Sequence, residues 1–200
     1  MNLKRMLLVN GAMIVVAALV FVFWILPSYM PDEPEQGTQY GSLGGDFELT
    51  SIDGPVSLSD YEGDVVLLFF GFTHCPDYCL ASLATKRQAL SALPDDYQGR
   101  VTGLFVSVDP DRDDVQTLAD YTEFFHQDII GITGPKADID RITAMYGASY
   151  HFVDLEDSEL EYTVEHSTRT YLIGPDGKVK DLFNFDTPYT EMVERIQDVL

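Results

Sequence analysis

The sequence predicts an α/β protein, a three-layer α/β/α sandwich around a mixed sheet with an inserted β-hairpin, preceded by one N-terminal transmembrane helix. Three observations predict it. Residues 6–26 are almost entirely apolar, about 21 residues long, and so match a hydrocarbon core of roughly 30 Å. A continuous apolar run, 65–70, and a second buried strand, 101–108, each lead into a segment of helical spacing, the pattern of parallel strands buried on both faces. Late in the chain come short strand patterns joined by turn residues, then a last helix. The order βαβα, then strands, then a helix argues the layered sandwich.

Each element has its own signal. Only Asn10 and Gly11 interrupt the N-terminal apolar segment, and Trp24-Ile25-Leu26-Pro27 follows it where a cleaved leader would carry a small-x-small site. Lys4 and Arg5 stand before the span and acids after it, which keeps residues 1–5 in the cytoplasm and sends the rest outside. Residues 27–45, rich in Pro, Gly, Asp and Glu, read as a tether. The domain then occupies 46–200. Its first strands, 46–51 and 55–58, flank Asp53-Gly54, a hairpin signal. Strand 65–70 leads to a helix over 81–93 that stops before Pro94, and strand 101–108 to a helix over 113–126 with acids in its first turn. A short strand at 129–133 precedes a helix over 138–146 closed by Gly147. Segments 150–153 and 160–164 form the inserted hairpin. Segments 170–173 and 179–183 form another across Gly174-Pro175-Asp176-Gly177, and the last helix covers 188–200.

Composition narrows the functional classes. Against 33 acids stand 12 bases, a net charge of −21, which excludes a general nucleic-acid binder because such a protein carries a basic face. The acids are scattered through the domain, a pattern of solubility or adaptation to salt more than of a steering patch. A domain of about 155 residues buries roughly 70% of its unfolded surface and needs no disulfide to fold.

The chemistry is expected at Gly71-Phe72-Thr73-His74-Cys75-Pro76-Asp77-Tyr78-Cys79. Cys75 and Cys79 are the only cysteines, four apart, just after the first buried strand. That spacing puts both sulfurs on one face of a helical turn, where they can close a disulfide or hold one metal ion between them. Outside the cytoplasm either state is open to them. A strand running into two cysteines at a helix start is the thioredoxin layout, where helix N–H groups favour thiolate. Thioredoxins use Cys-x-x-Cys, however, and the extra residue here leaves room for a metal. Peroxiredoxins share the architecture, but Leu68 and Phe72 stand where their Pro and Thr would be.

Three further segments complete a pattern: Val108-Asp109-Pro110-Asp111-Arg112-Asp113, Tyr162-Thr163-Val164-Glu165-His166-Ser167, and Tyr171-Leu172-Ile173-Gly174-Pro175-Asp176-Gly177. With the cysteine motif, in this order and spacing, the chain from about residue 40 to 200 resembles the Sco/SenC copper proteins associated with cytochrome c oxidase assembly. The resemblance implies a thioredoxin-like domain in which Cys75, Cys79 and His166 bind one copper ion per chain, as Cu(I) or Cu(II). It implies a chaperone without turnover of its own that delivers copper to the binuclear copper centre of the oxidase. The partners implied are the copper-site subunit of that oxidase, with other periplasmic copper chaperones or thiol reductants, and the membrane through the N-terminal helix. Soft thiolates suit Cu(I), thiolate with imidazole also holds Cu(II), and a three-ligand site stays open for transfer. The alternative function is a thiol-disulfide oxidoreductase acting on cysteines of the oxidase copper subunit or on peroxide, with Cys75 attacking and Cys79 resolving. The expected location is a bacterial inner membrane, single-pass, with the N-terminus cytoplasmic and the domain periplasmic, since no Arg- and Ser-rich transit segment precedes the span.

The remaining candidates are read as supporting residues. His74 is expected to point away from the cysteines, and His126 and His151 to have no role in the site. Asp109 and Asp113 are open between helix capping and shaping the pocket, with Arg112 as a surface partner; Asp77 reads as a cap. Arg169 stands where thioredoxins carry a cis-proline. Leu80 and Glu165 depart from the family's usual Pro and Asp, and neither is a proposed ligand.

Overall fold

The computed structural model describes residues 40–155 and 160–200, together with residue 21. The expected transmembrane segment at 6–26 and most of the tether fall outside the described residues. Among those described, no helix is long and apolar enough to cross a membrane.

The domain is a mixed α/β fold. In chain order its elements are β1 (Glu48–Ser51), β2 (Gly54–Ser57), β3 (Val65–Gly71), α1 (Tyr78–Ala92), β4 (Val101–Ser107), α2 (Val115–Glu123), β5 (Ile129–Ile132), α3 (Lys136–Met145), β6 (Tyr150–Asp154), β7 (Tyr162–His166), β8 (Thr170–Ile173), β9 (Val179–Phe183) and α4 (Tyr189–Val199). Five strands make the main sheet in the order β5-β4-β3-β8-β9. β3 lies at its centre, parallel to β4 and antiparallel to β8, which is what makes the sheet mixed. Every residue of β3 is buried, as its unbroken apolar run requires. α1 packs against α4, and α2 against β5.

Two hairpins lie outside the strand order of this sheet, the first of them bridged to the end of β5 by reciprocal backbone hydrogen bonds between Thr50 and Thr133. β1 and β2 turn at Ile52-Asp53 with Gly54 at φ 120°, a backbone region that favours glycine. β6 and β7 form the inserted pair, with Tyr150 opposite His166 and Asp154 opposite Tyr162. Of the stretch expected as a tether, residues 40–45 are described; Tyr40 and Leu43 pack against the core, and Gly44 N–H donates to the Met145 carbonyl.

Three boundaries differ from expectation in ways that matter for the site. α1 begins at Tyr78, three residues earlier than the apolar spacing indicates, so Cys79 lies in its first turn. α2 is shorter than 113–126 and has no acid in its first turn; Asp114 caps it by accepting from Thr117 N–H at 2.7 Å. β7 extends to His166, so the histidine is the last residue of a strand and not part of the following loop.

A candidate two-sulfur, one-imidazole metal centre

The turn from β3 into α1 carries both cysteines as free thiols. Cys79 is fully buried and Cys75 is 7% exposed. Cys75 N–H donates to the Phe72 carbonyl at 3.3 Å, which closes the turn, and Cys79 N–H donates to Cys75 Sγ at 3.4 Å. The hydrogen bond from the Cys79 thiol pulls Cys75 down to about 4, with further help from backbone N–H groups of Cys79 and Asp77 at the start of α1. Cys79 is pushed the other way, first by the same shared proton and then by burial. The pair therefore carries one thiolate, centred on Cys75, and one thiol.

Gly71, the last residue of β3, makes this packing possible. A Cβ there would lie 2.8 Å from Cys79 Sγ and 2.7 Å from a ring carbon of Phe105. Any side chain would push the sulfur out of place.

His166 reaches the cysteines from the inserted hairpin. Its Nε2 is 3.3 Å from Cys79 Sγ, and its Nδ1 is 3.0 Å from the Ser167 carbonyl. A carbonyl only accepts, so the ring proton belongs on Nδ1 and the Nε2 lone pair faces the sulfurs. That is the tautomer a metal needs, fixed by the kind of outer hydrogen bond that orients ligating histidines. Packing fixes the ring as well: Phe69 and Phe72 meet it edge-on, with centroids 6.0 and 5.8 Å away.

The three donor atoms all lie within 4.8 Å of one another. Metal bonds of about 2.0–2.3 Å to nitrogen and sulfur place paired donors within such a span. Among the described residues no fourth His, Cys, Asp or Glu joins the group. The donor set therefore fits a soft ion in a three-coordinate site and falls short of the four ligands of structural zinc.

A buried polar network holds the two ligand-bearing segments in register. Asp113 is fully buried and accepts from Thr73 N–H at 3.0 Å, Thr73 Oγ1 at 2.5 Å and Ser107 Oγ at 2.6 Å, which ties the cysteine turn to the end of β4. Asp109, also buried, accepts from Arg112 Nε at 2.5 Å and from Tyr162 OH at 2.9 Å. Arg112 Nη1 donates to the Tyr162 carbonyl at 3.1 Å, and its guanidinium lies 3.7 Å from the Tyr162 ring centre. So the question left open by the sequence resolves toward the pocket: neither Asp109 nor Asp113 caps α2, and the partner of Arg112 is Asp109.

The other candidates fall where their neighbours direct them. His74 Nδ1 bonds Thr73 Oγ1 at 3.0 Å, on the Asp113 side and away from the sulfurs. His126 accepts from Asp128 N–H, and His151 pairs with Glu165 on the exposed face of the hairpin. Asp77 occupies the cap position of α1, but its side chain makes no capping bond. The segment with Arg169 contains no cis peptide bond, and Leu80 is exposed. Sequence reasoning missed the positioning residues Phe69, Tyr162 and Gly71, although Tyr162 and Gly71 lie inside motifs already singled out.

A mixed-sheet domain that folds its strand-to-helix turn around two cysteines and brings a histidine to them from a hairpin is a thioredoxin-like protein with a built-in metal-binding constellation. The SCO1/SenC family profile matches residues 35–200, and the chain belongs to that family. The human protein SCO1 homolog, mitochondrial, is 37% identical over 148 residues, covering 70% of this chain and 47% of the human one. A SCO2-like protein of Rickettsia conorii is 32% identical over 203 residues, covering 98% of this chain and 97% of its own. The chain thus spans about half the length of the mammalian SCO1 relatives and nearly all of the rickettsial one. The crystal structure of Arabidopsis thaliana ScoI with copper bound is similar at a TM-score of 0.72 and 31% identity, covering 78% of this chain and 98% of that one.

Proposed function

We propose that this protein is a copper chaperone of cytochrome c oxidase assembly, in which Cys75, Cys79 and His166 hold one copper ion as cargo. The observation that carries the reading is the convergence of two sulfurs and an Nε2 lone pair within 4.8 Å, with no fourth His, Cys, Asp or Glu joining them among the described residues. Such a site binds Cu(I) through its thiolates, tolerates Cu(II) through the added imidazole, and keeps a position free for an incoming ligand. A related Sco protein whose solved structure contains copper supports the choice of metal. The recipient is the copper-site subunit of the oxidase. The 6–26 segment anchors the chain in a bacterial inner membrane, with residues 1–5 inside and the domain in the periplasm.

The low value of Cys75 beside a protonated Cys79 favours a second reading, thiol-disulfide exchange on the cysteines of the same partner. The two readings separate on single cysteine variants. Under the chaperone reading, Cys75→Ser and Cys79→Ser each abolish tight binding of one copper per chain. Retention of that binding by either variant overturns it.

A further inference from the structure

We infer that Lys86 is the counter-charge of the copper-loaded centre and biases it toward Cu(I); this rests on the copper reading above. Lys86 is a lysine only 2% exposed, in the interior of α1. It stands seven residues after Cys79, two turns along the same face, and its long side chain leans back toward the helix start. Its ammonium lies 4.0 Å from the centre of the Phe69 ring and donates to the Ser82 carbonyl at 3.4 Å. The same Phe69 ring meets the edge of His166, so a single phenyl group separates the cation from the metal-binding imidazole. Among the described residues no acidic side chain pairs with Lys86, and the ionisable group that acts on it is Cys79, which becomes a thiolate when it ligates a metal.

A buried cation without a carboxylate partner is costly, and its retention needs another anion nearby. The loaded centre is that anion. Two thiolates and a neutral imidazole around Cu(I) carry a net charge of −1, and around Cu(II) they carry none. A fixed positive charge in the same low-dielectric core therefore stabilises the Cu(I) form over the Cu(II) form. Lys86 acts through the field and not as a ligand, so it is a positioning charge that sets which oxidation state the site prefers.

The test is the ratio of Cu(I) to Cu(II) affinity of the full chain, measured by competition with a Cu(I) chelator and by Cu(II) titration. Burial pushes Lys86 down to about 7, so the measurement is made on the acid side of that value, where the ammonium is held. Lys86→Met keeps the length and removes the charge; Lys86→Gln removes it with a different shape, and melting curves confirm folding. Both neutral variants are expected to lower the ratio about tenfold or more relative to the parent, with one copper still bound per chain. A ratio unchanged in both overturns the inference and leaves the copper reading standing. A parent chain that binds no copper in either state overturns both.

Discussion

Tyr162 donates its hydroxyl proton to Oδ1 of Asp109 across 2.9 Å, and this bond joins the strand that ends in His166 to the turn that follows β4. The hairpin β6–β7 shares no strand pairing with the main sheet. Its hold on the domain beside the site depends on such side-chain ties, with Arg112 clasping the Tyr162 carbonyl and ring from the same turn.

Replacing Tyr162 with Phe keeps the ring over Arg112 and deletes the bond to a buried carboxylate. The expected cost is about 1–2 kcal/mol in denaturant unfolding. Because the lost tie positions His166, Cu(II) affinity should fall about threefold to tenfold while alkylation of Cys75 stays at the parental rate. A variant with parental stability and parental Cu(II) affinity would show that the bond does not position the histidine.

Gly71→Ala tests the contact behind Cys79. The added methyl meets Cys79 Sγ and Phe105 below ordinary contact distance, so one of them must move. Overpacking of this kind costs about 1–3 kcal/mol. The melting temperature should drop, and the copper-bound absorption spectrum should change in position or intensity because one sulfur is displaced. Parental values for both would mean that the strand shifts to absorb the methyl freely.

The shared proton of the cysteines makes a signed prediction about pH. Cys75 is depressed from the ordinary thiol value of 9.0 to about 4, while Cys79 is raised. Between those two values of Cys75 the folded pair holds one proton and the unfolded pair two, so the unfolded state binds more protons and stability rises with pH. Above 9.0 the unfolded pair has lost both protons and the folded pair still holds one, so this contribution falls again. In denaturant melts across this range, the Cys75→Ser chain should lose the rise that the reduced parent shows. Iodoacetamide should modify Cys75 well into the acid range and leave Cys79 unmodified while the chain is folded. A Cys75 alkylation rate that falls with acid as a free thiol does would contradict the assignment.

Much of this site is legible in the residues themselves. The buried run before Cys75, the four-residue spacing and the turn before β9 depend on neighbours close in sequence, and β8 and β9 fall at their expected limits. What local pattern misses is long-range exchange of partners. Asp113 stands before a helix, so its residues leave it open between capping and the pocket; it is taken by Thr73 from forty residues away, and its neighbour Asp114 is the cap. Tyr162 and Asp109 lie 53 positions apart, and neither residue type announces the other. Lys86 carries no signal of burial in the sequence, and only tertiary packing puts it inside, with its ammonium over the ring of Phe69 in β3. His166 is found through its motif, but its tautomer is set by the Ser167 carbonyl, which no side-chain pattern records.

The most direct test of the central claim is a Cu(II) titration of the reduced full chain, followed by absorption spectroscopy and run beside His166→Ala. The account predicts one copper per chain with thiolate-to-copper charge transfer in the parent. In the variant it predicts a Cu(II) affinity lower by about a hundredfold or more, with oxidation of the cysteine pair unimpaired. Absence of stoichiometric binding, or the same affinity and the same charge-transfer band without His166, would contradict it.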